Sequence, residues 1–183
     1  MAFKKEKEFF KILDDNEGWT TPINNKKTGL VCYHKTSARG MNLIKVKCPS
    51  DFDALTTFRA AGNSENRLKY DKNIQMVKPI EQVGANFLIG YQRTFRIFTV
   101  ASRDMYNNVW WNIDDKGRYY LVLFDMAEDD LPEEEGCVRM LCPIGGFIFE
   151  PLPDDPSKCT MTMIAEGDVR GNIPKFAQKK AME

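Results

Sequence analysis

Arg67 and Asp71 lie four residues apart, the spacing at which two side chains meet on one turn of helix. Two readings stay open for them. They can form a structural ion pair, or the arginine can meet a ligand, its fork being able to bind two oxygens at once. Arg103 and Asp104 are adjacent. With no histidine, serine or cysteine in a recognisable arrangement beside them, they are expected to brace a strand as an ion pair rather than to catalyse. His34 is the lone histidine, and five cysteines (Cys32, Cys48, Cys137, Cys142 and Cys159) contain no CxxC pair. Zinc needs clustered ligands, so no metal is implied. Unpaired buried thiols in a reducing compartment are the expectation. Gly145-Gly146 sits inside an apolar run; it is not a phosphate loop, and it predicts a bulge or bend. Nothing here calls for a cofactor.

The elements that must position these residues follow from periodicity. Phe3, Phe10 and Leu13 recur on one helical stripe, which predicts a helix over 3–13. From Gly29 the period changes to two, with strands over 30–34 and 42–48. Ser50 or Asp51 can cap a short helix carrying Phe52, Leu55 and Phe58. From Asp71 to Glu166 the chain reads as strands: 74–82, one or two within 86–100, 104–113, 119–125, 137–149 and 158–165. Asp114-Asp115-Lys116-Gly117 signals a hairpin turn, and Pro151 to Pro156 separates the last two strands. A final helix starts near Ile173-Pro174, where proline suits a first helical turn. Successive strands joined by short turns make an antiparallel sheet that twists and curls. The fold class is therefore α+β: a strongly curved antiparallel sheet wrapped around a C-terminal helix, in one domain over residues 1–183.

Composition narrows the function. Charge is balanced, 26 basic against 26 acidic residues, without the basic excess of a nucleic-acid binder. Lys4, Lys5 and Lys7 near one end, and Lys175, Lys179 and Lys180 near the other, read as solvated helix faces or as contacts for anionic lipid headgroups. The basic N-terminus lacks the apolar run of a signal peptide. No stretch approaches the roughly 18 consecutive apolar residues of a membrane span. A soluble, cytoplasmic protein is expected.

Four ordered segments resemble the StAR-related lipid-transfer (START) domain family, of the wider helix-grip, Bet v1-like superfamily. Arg67-Leu68-Lys69-Tyr70-Asp71 is similar to the family's R-x-x-W-D, with tyrosine for tryptophan. Ser102-Arg103-Asp104-Met105 resembles its S/P-R-D-F, Gly136-Cys137-Val138-Arg139 its G-x-V/I-R, and Asp168 to Pro174 its D-x-x-G-x-I/L-P. The resemblance covers nearly the whole chain. It implies a helix-grip fold around an internal apolar tunnel that holds one lipid, with the C-terminal helix as lid and membrane contact. Few residues follow Pro174, so the lid is expected to be short or cut from a longer chain.

The resemblance also implies what the cargo is not. Sterol-binding members pair a carboxylate thirteen residues before the R-D arginine with an arginine six after it; here those positions are Gly90 and Val109. Phosphatidylcholine-binding members carry an aromatic cage, where this chain has Gln92, Met105 and Pro143. If Gly90 and Val109 face inward, period two brings Leu88, Gln92, Asn107 and Trp111 to the same side; Phe176 is expected on the inner face of the final helix. The expected function is binding, and transfer between membranes, of a phospholipid or fatty-acyl lipid during transient peripheral membrane contact, without catalysis. The rivals are a lipid-sensing domain without transfer, a superfamily enzyme of cyclase or hydrolase type, and an interaction module with a filled core. The oligomeric state is not legible.

Overall fold

The computed structural model describes residues 1–96, 100–126, 131–132 and 134–171. Its first element is α1, Ala2–Asp14. Phe9 and Leu13, four apart, supply its buried stripe, with Ala2, Phe10 and Ile12 packed around them. Phe3 falls outside that stripe and is 67% exposed, its ring lying 4.6 Å from the Lys7 ammonium. The helix thus sits on the sheet through Phe9 and Leu13, not through a stripe that begins at Phe3.

Among the described residues ten strands and two further helices follow. They are β1 (Thr20–Asn25), β2 (Leu30–Thr36), β3 (Asn42–Ser50), α2 (Ala54–Gly62), α3 (Ser64–Tyr70), β4 (Ile74–Gly84), β5 (Phe87–Thr94), β6 (Ser102–Ile113), β7 (Tyr119–Asp125), β8 (Cys137–Arg139), β9 (Leu141–Leu152) and β10 (Asp155–Asp168). All ten strands join one sheet, in the order β1-β2-β3-β10-β9-β7-β6-β5-β4, with β8 paired to β6. Neighbours are antiparallel except β8, which runs parallel to the start of β6. β1 is exposed along its whole length, which is why no apolar alternation announces it. The expected strand over 137–149 is two, broken at Met140. Its first piece leaves β9 and turns to β6.

Alternation gives the sheet two faces. One carries α1: Leu43, Tyr120, Val122, Phe124, Ile144, Ile148 and Ile164 form a core with Phe9 and Leu13, edged by Phe87 and Trp110. Lys45, on this face, donates to the carbonyls of Leu13 at 3.1 Å and Asp15 at 2.7 Å. A cation at a helix C-terminus satisfies carbonyls that have no partner within the helix. Arg39 reaches both Glu8 of α1 and Glu166 of β10. The other face carries α2, and is here called the inner face. Ala54 of α2 packs with Phe149 and Cys159, and Phe58, Ala61, Tyr119, Phe147 and Met161 close around them.

Two local devices differ from expectation. Asp53, not Ser50 or Asp51, caps α2, accepting from Thr56 N–H at 2.9 Å. Ser50 remains in β3 and its hydroxyl meets Thr57 at 2.9 Å. Gly145 and Gly146 pair in register with Leu123 and Val122 of β7 and with Ala165 and Ile164 of β10, so no bulge lies there. The reason for glycine is close approach. A Cβ on Gly146 would stand 2.1 Å from the Leu121 carbonyl oxygen, at a φ of +146°. The final helix expected from Ile173-Pro174, with Phe176, Lys175, Lys179 and Lys180, lies outside the described residues.

Candidate functional site

β5 and β6 set the geometry. Their register pairs Leu88 with Val109, Gly90 with Asn107 and Gln92 with Met105. That of β6 with β7 pairs Asn107 with Asp125, Val109 with Leu123 and Trp111 with Leu121. Phe87 and Trp110 belong to the α1 core, so the alternate residues Leu88, Gly90, Gln92, Asn107, Val109 and Trp111 share the inner face. Six of the nine residues expected in the site are thereby brought together. Trp110 and Trp111, adjacent in sequence, face opposite sides, so only Trp110 serves the α1 core.

This stretch has helices on both flanks. α2 rests on β10, β9 and β7, whereas α3 rests on β4. α2 and α3 thus rest on strands that lie on either side of β5 and β6 in the sheet order. Between those strands the inner face grades in polarity. On the first half of β6 stand Arg103, Met105 and Asn107, with Gln92 across from Met105 on β5 and Asp125 across from Asn107 on β7. Toward the far end stand Val109 and Trp111, with Leu121 and Leu123 across.

Asn107 stands out in that gradient. It is 5% exposed, and its Nδ2 is buried with no hydrogen-bond partner among the described residues. A buried amide left so costs roughly 1–3 kcal/mol. Gly90, directly opposite, presents no side chain. A Cβ there would find only ordinary contacts, with Leu88 Cδ1 at 3.5 Å, Val109 Cγ2 at 3.6 Å and the Lys78 carbonyl at 4.0 Å.

Arg67 and Asp71 form their pair, Nη2 to Oδ2 at 2.8 Å, at the end of α3. The Arg67 guanidinium lies 5.6 Å from the Tyr70 ring. Asp71 also feeds the start of β4, where Ile74 N–H donates to its carbonyl at 3.2 Å. The pair stands on α3, apart from the β5–β6 stretch. Phe176, the ninth expected residue, lies outside the described residues.

Arg103 and Asp104 do not pair with each other. Adjacent residues of a strand point to opposite faces, and each finds a different partner. Asp104 turns to the α1 side and takes two hydrogen bonds from Arg139, 2.9 and 3.0 Å. Arg103 turns inward and donates to three carbonyls: Ala101 at 2.6 Å, Val169 at 3.1 Å and Arg170 at 2.9 Å. Burial lowers its affinity for the proton. The carbonyls of 169 and 170 follow β10 at the root of the C-terminal segment. Asp168 folds that root by accepting from Arg170 N–H at 2.8 Å. Arg170 and Gly171 both take positive φ, 48° and 75°. A side chain at 171 would also crowd Arg103 at 3.1 Å. The motifs at 102–105, 136–139 and 168–171 thus meet at one place, the start of β6. Spacing alone could not reveal this, because the three are far apart in the chain.

Asp125 is the one carboxylate on the inner face of β5, β6 and β7 among the described residues, and the sequence reading missed it. Both its oxygens accept from Cys142 N–H, at 2.7 and 2.8 Å. Burial, with Asp125 and Glu166 nearby, pushes the Cys142 thiol up to about 12. No group of three or more metal-ligating side chains occurs among the described residues. No described helix is long and apolar enough to cross a membrane.

The chain matches the model of the START domain over residues 3–183. It is similar to START domain-containing protein 10 of Mus musculus, 22% identical over 169 residues, covering 91% of this chain and 56% of that protein. Steroidogenic acute regulatory protein, mitochondrial, of Danio rerio is 23% identical over 167 residues, covering 90% and 58%. The chain thus spans little more than half the length of these relatives. Among solved structures, human StAR-related lipid transfer protein 5 superposes with a TM-score of 0.88 at 18% identity, covering 100% of this chain and 87% of that one. Human STARD10 does so at 0.80 and 21%, covering 96% and 71%. These likenesses establish the α+β helix-grip fold, and the match to the family model over nearly every residue shows that the chain belongs to the START domain family.

Proposed function

We propose that this domain binds one lipid against the inner face of β5, β6 and β7 and carries it between membranes. The polarity gradient along β6 supports the reading. A lipid laid on it has its polar part near Arg103, Asn107 and Asp125 and its hydrocarbon against Val109, Trp111, Leu121 and Leu123. Burying the hydrocarbon contributes about 25 cal/mol per Å², so an apolar wall with a few polar groups is sufficient for a carrier. The cargo is a phospholipid or another fatty-acyl lipid rather than a sterol, because Gly90 and Val109 offer no polar group to a sterol hydroxyl. The START relatives named for lipid transfer are consistent with the same class of activity. Binding and release involve transient contact with a membrane surface, and no chemical step is proposed.

Native mass spectrometry of the purified domain, with lipid extraction of the same sample, tests the binding. A bound mass of a few hundred daltons matched to an extracted acyl lipid supports it. A protein that arrives bare and takes up nothing from mixed vesicles overturns it. Transfer of a fluorescent analogue of the acyl lipid recovered in that extraction, between donor and acceptor vesicles, separates a carrier from a sensor, which binds without accelerating exchange.

A further inference from the structure

Seven side-chain polar atoms are buried without a partner among the described residues. Tyr91, Arg93, Trp110, Thr162 and Glu166 hold theirs on the α1 side of the sheet, and Arg67 already pairs with Asp71. Asn107 alone presents such an atom on the inner face. On that face it stands between Gly90 of β5, which presents no side chain to it, and Asp125 of β7, and the apolar Leu88 and Val109 lie in ordinary contact distance of a Cβ at position 90. The missing partner is an acceptor, because the orphan atom is an amide N–H donor.

The charge of that acceptor follows from what surrounds it. The inner face of β5, β6 and β7 carries one cation among the described residues, Arg103, whose Nε, Nη1 and Nη2 are each engaged by a backbone carbonyl. The one carboxylate there, Asp125, stands opposite Asn107. An anion placed at Asn107 would stand directly across from the Asp125 carboxylate, while the Arg103 guanidinium lies four strand residues away, roughly 13 Å, and is held on the carbonyls of the C-terminal root; the unbalanced negative pair would be costly in a desolvated site. A neutral oxygen incurs no such penalty. We propose that Asn107 is the specificity-determining residue of the lipid site and that it donates to the carbonyl oxygen of an acyl ester or amide, so that esterified acyl lipids are taken in preference to free fatty acids and to hydrocarbons. This rests on the lipid-binding reading above and deepens it.

The test compares three probes of similar chain length, methyl oleate, oleate and octadecene, each competing with a fluorescent acyl probe on the purified domain. Wild type is expected to bind methyl oleate about tenfold more tightly than octadecene, the worth of one buried neutral hydrogen bond, and more tightly than oleate. Asn107→Leu should erase the ester-over-hydrocarbon preference while retaining octadecene. Gly90→Ala, whose methyl fits the ordinary contacts at that position, should weaken methyl oleate more than octadecene and serves if Asn107→Leu does not fold. An unchanged preference in a folded Asn107→Leu, or a wild type that prefers oleate, overturns the assignment while leaving lipid binding intact. A wild type that binds none of the three overturns the lipid-binding reading with it.

Discussion

Arg139 grips Asp104 by two parallel hydrogen bonds, Nε to Oδ1 at 2.9 Å and Nη2 to Oδ2 at 3.0 Å. Asp104 is 1% exposed, so removing the arginine strands a buried carboxylate. Breaking one side of a buried pair costs about 3–5 kcal/mol. Arg139→Met is expected to lower the midpoint of thermal unfolding by roughly 10 °C, measured by circular dichroism. The double variant Arg139→Met with Asp104→Leu should recover part of the loss, because no charge is then left alone.

Arg103 fixes the root of the C-terminal segment through the carbonyls of residues 169 and 170. Arg103→Met keeps much of the length and loses all three donors. Hydrogen exchange should then accelerate at 169–171 by at least tenfold, with β7 and β9 little changed. Equal acceleration throughout the sheet would show global destabilisation and defeat the idea of a local anchor.

Gly146 sits where β7 passes close by. Alanine there combines overpacking against the Leu121 carbonyl and the Val122 Cα with a backbone angle that side chains disfavour. Overpacking typically costs about 1–3 kcal/mol and the strained φ a similar amount. Gly146→Ala should therefore lose about 4 kcal/mol in urea unfolding, or fail to accumulate folded. Gly117→Ala, also at positive φ but with open space around its Cβ, should lose far less.

Glu8 gives the fold a sensitivity to acid. Burial pushes its carboxyl up, but hydrogen bonds from Arg39 and Lys5 outweigh that and hold it below the ordinary 4.5. A group whose folded value is depressed stabilises the fold above its unfolded value and loses that contribution as pH falls through the folded value. Wild type should exceed Glu8→Gln in stability near neutral pH. The gap should close as pH drops below about 4.5, which a series of melts across that range will show.

The sequence made most of the sheet legible, for a physical reason. The strands of β6, β7 and β10 alternate or run apolar, and Asp114 to Gly117 has the chemistry of a tight turn, with Gly117 at φ +73°. β1 escaped notice because it buries nothing. The inward set on β5 and β6 was readable because a period of two needs one anchor to fix every other residue. The partners of Arg103 and Arg139 were not readable. The first binds backbone, which carries no sequence signal, and the second crosses 35 residues to reach Asp104. Lys45 carries no signal of its own in the strand pattern, and its role as cap of α1 depends on where that helix lies. Gly146 was visible as an oddity, but the neighbour that demands it belongs to another strand.

The hold of Arg103 on residues 169 and 170 has an evolutionary consequence. Every amino acid, proline included, presents the same carbonyl oxygen, so the contact at 169 tolerates any side chain there. Val169 is 49% exposed and free of that demand. Selection on the anchor therefore concentrates on residue 103 and on the turn at 168 and 171, while position 169 is left to drift, and two distant descendants of this chain can keep an identical grip with nothing in common at the residue being gripped.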